Sequence, residues 1–289
     1  MKTVKDVSTA FRKELSALYD TKEIDSLCMI VLAEITGTSS AKIKAFPELE
    51  IPEEQSSKID QILIRLKTGE PVQYILGHTE FFGLSFKVNP SVLIPRPETE
   101  ELVEWILDSW RLAIGGWHKP FGILDIGTGS GCIAISLKKN LNAEVLAIDI
   151  SDSALNTAKE NAEINDVDVN FIQADILNLK SEIGSSKFDI IVSNPPYVTL
   201  EDKEQMHLNV TVFEPHNALF VPENDPLIFY KAIADLAANC LKKDGLLFFE
   251  INESYGEEMI GLLENRSFIN VELRKDMSGK SRMMKAIKH

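Results

Sequence analysis

Apolar residues recur three and four positions apart through the first seventy residues, the spacing of one helix face. Val7, Phe11, Leu15 and Leu18 make one stripe. Leu27, Ile30, Val31 and Ile35 make a second, which Gly37 stops. Ser39 or Ser40 can cap a short third helix ending before Pro47. Pro52 opens a fourth that carries Ile59, Ile62, Leu63 and Leu66, with Gly69 as its C-terminal cap. The pattern predicts a small all-helical domain over residues 1–72, with no side chain in it that looks catalytic.

Between Gln73 and Pro95 the period changes to two. Phe82, Leu84, Phe86 and Val88 alternate with Gly83, Ser85 and Lys87, which predicts a strand, with Tyr74 and Ile75 as its hairpin partner. Residues 73–95 therefore read as a β-hairpin linker, and 96–289 as the larger domain. Pro97 opens a helix whose first turn holds Glu98, Glu100 and Glu101, where the helix dipole favours negative charge. After a Gly-Gly-Trp loop at 115–117, strands and helices alternate. Apolar runs at Ile123–Ile126, Val145–Ile148, Val169–Ile172, Ile190–Val192 and Leu246–Ile251 are separated by helical segments such as Ser153–Asn165 and Pro226–Leu241. Such alternation predicts an α/β fold, doubly wound, with a mostly parallel sheet covered on both faces. Ligands of these sheets bind at the carboxyl ends of the strands.

Composition narrows the partners more than the fold. A net charge of −14 makes the chain a poor non-specific ligand for phosphate backbones, so no direct nucleic-acid contact is expected. Cys28, Cys132 and Cys240 are far apart and form no Cys-x-x-Cys pair, and the five histidines show no metal-site spacing. No metal is expected. The N-terminal stretch lacks the apolar core of a signal peptide and no run is long enough to span a bilayer, which predicts a cytoplasmic protein without membrane contact.

Four strand ends carry the candidate chemistry. The first is DIGTGSG, which joins the strand ILDI to a helix. Its glycines let backbone approach a ligand and aim helix amides at it. Gly127, Gly129 and Gly131 give G-x-G-x-G, whereas the dinucleotide fingerprint places its third glycine where this chain has Cys132. Asp149 ends the next strand, where an acid reaches ribose hydroxyls, and Asp175 with Ile176 follows the third, near an adenine. Alone, the glycines could be only a tight turn and the acids only helix caps. In this order they predict nucleoside-cofactor binding by Gly127, Thr128, Gly129, Ser130, Gly131, Asp149, Asp175 and Ile176, with Asn194 at the methyl end.

The fourth strand, FDIIVS, runs into Asn194-Pro195-Pro196-Tyr197. Proline here could simply stop a strand. The segment also suits a planar NH2 group, because the Asn194 and Pro195 carbonyls are acceptors and Tyr197 offers a flat face. An amide nitrogen is a poor nucleophile because its lone pair is delocalised. Accepting both its N–H hydrogens favours pyramidalisation, so positioning and electrostatics can supply the catalysis.

These residues resemble the class I S-adenosyl-L-methionine-dependent methyltransferases that modify exocyclic or amide nitrogens. GEPVQYILGHTEFFG, VLIPRPETEELVE and FEPHNALF extend the likeness across essentially the whole chain to the peptide chain release factor glutamine methyltransferases of the HemK/PrmC type. The resemblance implies a seven-stranded Rossmann-like methyltransferase sheet and S-adenosyl-L-methionine as cofactor. It implies that the substrate is the glutamine of the Gly-Gly-Gln loop of class 1 peptide chain release factors, docked by the helical domain. It also implies catalytic roles for Asn194, Pro195 and Tyr197, a substrate pocket formed by Asn194, Pro195, Pro196 and Tyr197, and a place near the reaction centre for Leu93, Pro95, Arg96 and Pro97. Where the family has a glycine and later a glutamine after Glu250-Ile251, this chain has Asn252 and Tyr255.

Three other readings compete. The same clamp fits the exocyclic amine of adenine in DNA or RNA, but extracting a base from a charged polymer suits a chain at −14 poorly. A non-catalytic cofactor sensor would have no need of Asn194 and Tyr197, and a nicotinamide dehydrogenase fails on the glycine spacing.

Overall fold

A computed structural model of the chain describes residues 2–114, 121–179, 183, 186–204 and 206–289. The Gly-Gly-Trp loop at 115–117 lies outside the described residues. The chain begins with α1 (Val4–Leu15), α2 (Thr21–Thr36), α3 (Ser40–Ala45), α4 (Glu53–Leu66) and α5 (Val72–Leu76), followed by the hairpin β1 (His78–Phe81) and β2 (Leu84–Lys87). Then come α6 (Pro97–Ile114), β3 (Phe121–Ile126), α7 (Cys132–Asn140), β4 (Ala143–Asp149), α8 (Asp152–Ile164), β5 (Asn170–Gln173) and β6 (Phe188–Ser193). Three short helices follow, α9 (Leu200–Lys203), α10 (Leu208–Phe213) and α11 (His216–Leu219). The chain closes with α12 (Ile228–Cys240), β7 (Leu241–Glu250), α13 (Gly256–Glu264), β8 (Phe268–Lys275) and β9 (Ser281–Lys288).

Two compact units result. The first comprises the residues up to Gly77 together with His207–Phe213, so α10 belongs to it. Its helices start on side-chain caps: Thr3 and Asp6 form a capping box at α1, Asp20 caps α2 and Ser39 caps α3. Val7, Phe11, Leu15, Val31, Leu32, Ile59 and Leu66 are fully buried and form its core. Leu18 and Ile30, which fit the helical spacing, are exposed. Leu18 lies beyond the end of α1, and Ile30 falls outside the stripe of Ile24, Cys28 and Val31.

The second unit holds the hairpin and the sheet. Tyr74 and Ile75 are not the strand partner the alternation predicts. Gly77, at φ 82°, ends the short α5 that contains them, and His78–Phe81 pairs with Leu84–Lys87 instead. Phe82 and Gly83 both take positive φ in the two-residue turn. Asn161 of α8 and Asn165, the residue that caps its C-terminus, hold β2 in place. Asn161 accepts from the Lys87 N–H at 2.6 Å and donates to the Lys87 carbonyl, and Asn165 donates to the Ser85 carbonyl. The hairpin is thus fastened to the second unit.

The sheet has seven strands in the order β5-β4-β3-β6-β7-β9-β8, parallel from β5 to β7 and antiparallel from β7 to β8. Helices cover both faces, giving one apolar layer around Leu102, Ile106 and Ile135 and another around Tyr230, Ile233 and Met259. Strand order reverses at β3, between β4 and β6, and a crevice at the carboxyl ends is the geometric consequence.

Candidate active site

That crevice is a cavity of about 540 Å3, within the range of small-molecule sites. Gly127, Thr128, Gly129 and Ser130 line it at the end of β3. The turn is held from behind: the N–H groups of Gly127 and Thr128 donate to the Ile148 carbonyl at 2.9 and 3.0 Å. A Cβ on Gly127 or Gly129 would meet nothing within 4 Å, so these two border open space. A Cβ on Gly131 would stand 2.9 Å from Ile135 Cδ1 and 3.1 Å from Ala158 Cβ. Gly131 is therefore required for the packing of α7 and α8, and it does not line the cavity.

Asp149, at the tip of β4, lines the cavity and accepts the Gly129 and Ser151 N–H groups at 2.8 and 2.9 Å. Burial pushes its carboxyl up, and these backbone donors pull it back. Asp175 and Ile176 line the next stretch of wall, where Asp175 accepts from the Leu177 N–H and the Asn178 side chain. The set suits a nucleoside bearing a charged tail: open glycine backbone, a partly buried carboxylate beside it, and an apolar wall further along. Asp149→Ala should weaken S-adenosyl-L-methionine binding by about 1–3 kcal/mol, the scale of leaving hydroxyl partners unsatisfied. Unchanged affinity by calorimetry would leave Asp149 a purely structural acid.

Beneath the turn, Asp125 is 1% exposed. Its Oδ2 accepts the Thr128 hydroxyl at 2.7 Å, while Oδ1 has no partner among the described residues. Burial pushes this carboxyl up to about 7 from an ordinary 3.8. A raised folded-state value penalises the ionised form: the cost is absent below about 3.8, grows toward 7 and is constant above. Asp125→Asn should therefore melt close to the parent near pH 4 and gain on it steadily up to about pH 7. A melting difference independent of pH would contradict the shift.

Asn194 leaves the end of β6 into the same cavity, with Pro195 and Pro196. Its Nδ2 donates to Thr99 Oγ1 at 3.3 Å, so the acceptor that the amide offers the cavity is Oδ1. The Thr99 hydroxyl donates to Glu250 Oε2 at 2.6 Å, and the Tyr197 hydroxyl to Glu250 Oε1 at 2.9 Å. Glu250, at the end of β7, is fully buried. Burial pushes its carboxyl up, and the Thr99 and Tyr197 hydroxyls and the Arg282 cation pull it back. Tyr197 does not line the cavity. Its ring faces Arg282 at 6.0 Å and packs on the core, and the aromatic walls are Phe220 and Phe229. Asn252 sits behind the segment, donating to the Tyr197 carbonyl at 3.0 Å and to Asp202 at 2.8 Å.

Leu93, Pro95 and Arg96 form the facing wall, and Pro97 starts α6 behind them. Glu214, 3% exposed, anchors this segment: it accepts from Arg96 Nη2 at 2.5 Å and from the Ile94 N–H at 3.2 Å. Glu214, Thr99 and Glu250 are the site members that the motif reading passed over. Thr99 lies in VLIPRPETEELVE, Glu214 in FEPHNALF and Glu250 at the end of β7, but nothing in the sequence indicates which polar side chains turn inward.

A family model described as "Methyltransferase domain" matches residues 118–274, and one described as "PrmC N-terminal domain" matches residues 6–77. The release factor glutamine methyltransferase of Flavobacterium psychrophilum is 49% identical to this chain over 283 residues, covering 98% of each. The chain belongs to the release factor glutamine methyltransferase family. A second member, from Bacteroides thetaiotaomicron, is 42% identical over 285 residues, covering 97% of this chain and 98% of its own. The METTL16 methyltransferase domain lacking its N-terminus superposes with a TM-score of 0.52 at 21% identity, covering 72% of this chain and 90% of that one, a likeness that speaks to the fold alone. As a release factor glutamine methyltransferase by family, the protein is an enzyme that takes S-adenosyl-L-methionine as methyl donor. The sensor and dehydrogenase readings lapse. No helix among the described residues is long and apolar enough to cross a membrane.

Proposed function

We propose that the protein methylates the side-chain amide nitrogen of the glutamine in the Gly-Gly-Gln loop of class 1 peptide chain release factors, in the cytoplasm and without touching nucleic acid. The observation that carries this is the orientation of Asn194. With Nδ2 committed to Thr99, Oδ1 is the acceptor on a cavity shared with Gly127, Gly129 and Asp149. An acceptor suits an NH2 group, and the family relatives carry the glutamine substrate in their names.

In this reading Gly127 to Ser130 hold the methionine part of the cofactor, with Gly131 supporting the turn. Asp149 holds the ribose, and Asp175 with Ile176 the adenine. When bound, S-adenosyl-L-methionine supplies an electrophilic methyl group on a sulfonium. Asn194 Oδ1 and the Pro195 carbonyl accept the two amide hydrogens, raising electron density on the glutamine nitrogen and favouring its pyramidal form. Pro195, Pro196, Phe220 and Phe229 exclude water from it. Tyr197 acts through Glu250, as a positioning residue. The helical domain of residues 1–72 docks the body of the release factor.

Mass spectrometry tests both parts. Intact release factor incubated with enzyme and S-adenosyl-L-methionine should gain one methyl group on the Gly-Gly-Gln glutamine. A short Gly-Gly-Gln peptide, lacking the docked body, should be a poor substrate through a raised KM. Methylation elsewhere on the factor, or of adenine in DNA or RNA instead, would refute the substrate. A peptide as good as the whole factor would refute the docking.

A further inference from the structure

Asn194 and Glu250 sit side by side because β6 and β7 are adjacent parallel strands. Ser193 pairs with Phe249, and the next residue of each strand carries the side chain in question. Thr99 comes from the first turn of α6, is 2% exposed, and lies between them. The order of donors along this row follows from an ionised Glu250, which the Thr99 and Tyr197 hydroxyls and the Arg282 cation favour against burial. Glu250 is a carboxylate whose oxygens accept, Oε2 from Thr99 at 2.6 Å and Oε1 from Tyr197 at 2.9 Å. A threonine hydroxyl has one proton, and here the carboxylate takes it. Thr99 Oγ1 can then meet Asn194 only with a lone pair, so the Asn194 amide must turn its NH2 toward Thr99, at 3.3 Å.

We propose that Thr99 and Glu250 form a positioning relay that fixes which end of the Asn194 amide faces the cavity. A primary amide has two orientations of nearly equal shape, one presenting oxygen and the other NH2. The second sets donor against donor when the substrate group is itself an NH2. The relay removes that orientation before substrate arrives, so no reorganisation is left for the transition state. Thr99 reaches the cavity wall and Glu250 does not. Both act through Asn194, and their role rests on the amide-nitrogen chemistry proposed above.

Three variants test it in the full-length protein. Thr99→Val keeps the shape and loses the hydroxyl, and Thr99→Ser restores it. In Glu250→Gln the side-chain NH2 can donate to Thr99 while the oxygen still serves Tyr197, which frees the Thr99 proton to go to Asn194 Oδ1 and turns that amide around. The first readout needs no substrate: the asparagine side-chain amide resonances, with the Asn194 pair identified by its loss in Asn194→Asp. That pair is expected to move in Thr99→Val and Glu250→Gln and to stay in Thr99→Ser. The second is single-turnover methylation of a release factor at saturating S-adenosyl-L-methionine. It should slow about tenfold to a hundredfold in Thr99→Val and Glu250→Gln but no more than about threefold in Thr99→Ser, with cofactor affinity unchanged. Asn194 resonances indifferent to Thr99→Val, a parental rate in that variant, or equal losses in the valine and serine variants would overturn the relay. A parental enzyme that leaves release factor unmethylated would defeat the substrate reading instead, and the resonances would still decide the relay.

Discussion

Asn194→Ala should turn over two to three orders of magnitude more slowly than the parent, with S-adenosyl-L-methionine affinity little changed. The figure is roughly that for deleting one preorganised partner of a transition state. Neither Gly127, Gly129 nor Asp149 depends on Asn194 for a hydrogen bond. Asn194→Asp is the milder change. A carboxylate still accepts, so some activity should survive, but the Thr99 hydroxyl would then lie between two acids, Asp at 194 and Glu250. Single-turnover kinetics at saturating cofactor separates chemistry from binding. A parental rate in Asn194→Ala would reduce the segment to a turn that stops β6.

Glu214→Ala should be the most destabilising single change at the site. The carboxylate is buried, and its loss leaves the Ile94 N–H inside the protein with no acceptor. The Arg96 guanidinium, whose side chain is 32% exposed, can recover part of its solvation, which keeps the cost near the lower end for broken buried pairs. About 2–3 kcal/mol is expected, a fall in Tm of roughly 5–10 °C for a chain of this size. Glu214→Gln keeps an acceptor for Ile94 and should lose about half as much. Cofactor binding should weaken as well, since Leu93, Pro95 and Arg96 line the cavity from this segment. A variant that melts with the parent would show that the segment is held by packing alone.

The parallel part of the fold was legible because buried strands are written as short apolar runs closed by glycine or a polar residue: β3 runs into Gly127, β4 ends in Asp149, and β6 ends in Ser193 before Asn194. The antiparallel end was not. In β8, FINVELRK, only Phe268 is buried, so its pattern is that of a solvated edge, and β9 alternates weakly. The hairpin's first strand was misplaced because Tyr74 and Ile75 are as apolar as strand residues, while the Gly77 turn that ends their helix is a backbone property. At the site, the spacing of short motifs marks Gly127, Gly129, Asp149 and Asn194, which meet the cavity, but also Gly131, which packs against Ile135 and Ala158 instead. Tyr197 was given an open face because a motif does not say which way a ring turns after two prolines, and here the buried Glu250 takes its hydroxyl. Asn252, a departure from the family pattern, lies behind the Tyr197 carbonyl and outside the cavity wall.

The inclusion of His207–Phe213 in the first unit sets a timetable for synthesis. The helices up to Gly77 leave the ribosome early, but the helix that completes their unit follows 130 residues later, the difference between positions 207 and 77. At about 5–20 residues per second that is a wait of roughly 7–26 s. During it the nascent unit carries an unfilled seat at Gly69, where the Phe213 ring comes to rest 3.9 Å from the position of a Cβ. The two units also share three covalent crossings, after Gly77, after Met206 and after Phe213. No single cut of the gene therefore separates them, and the first cannot be exchanged between relatives as one contiguous cassette.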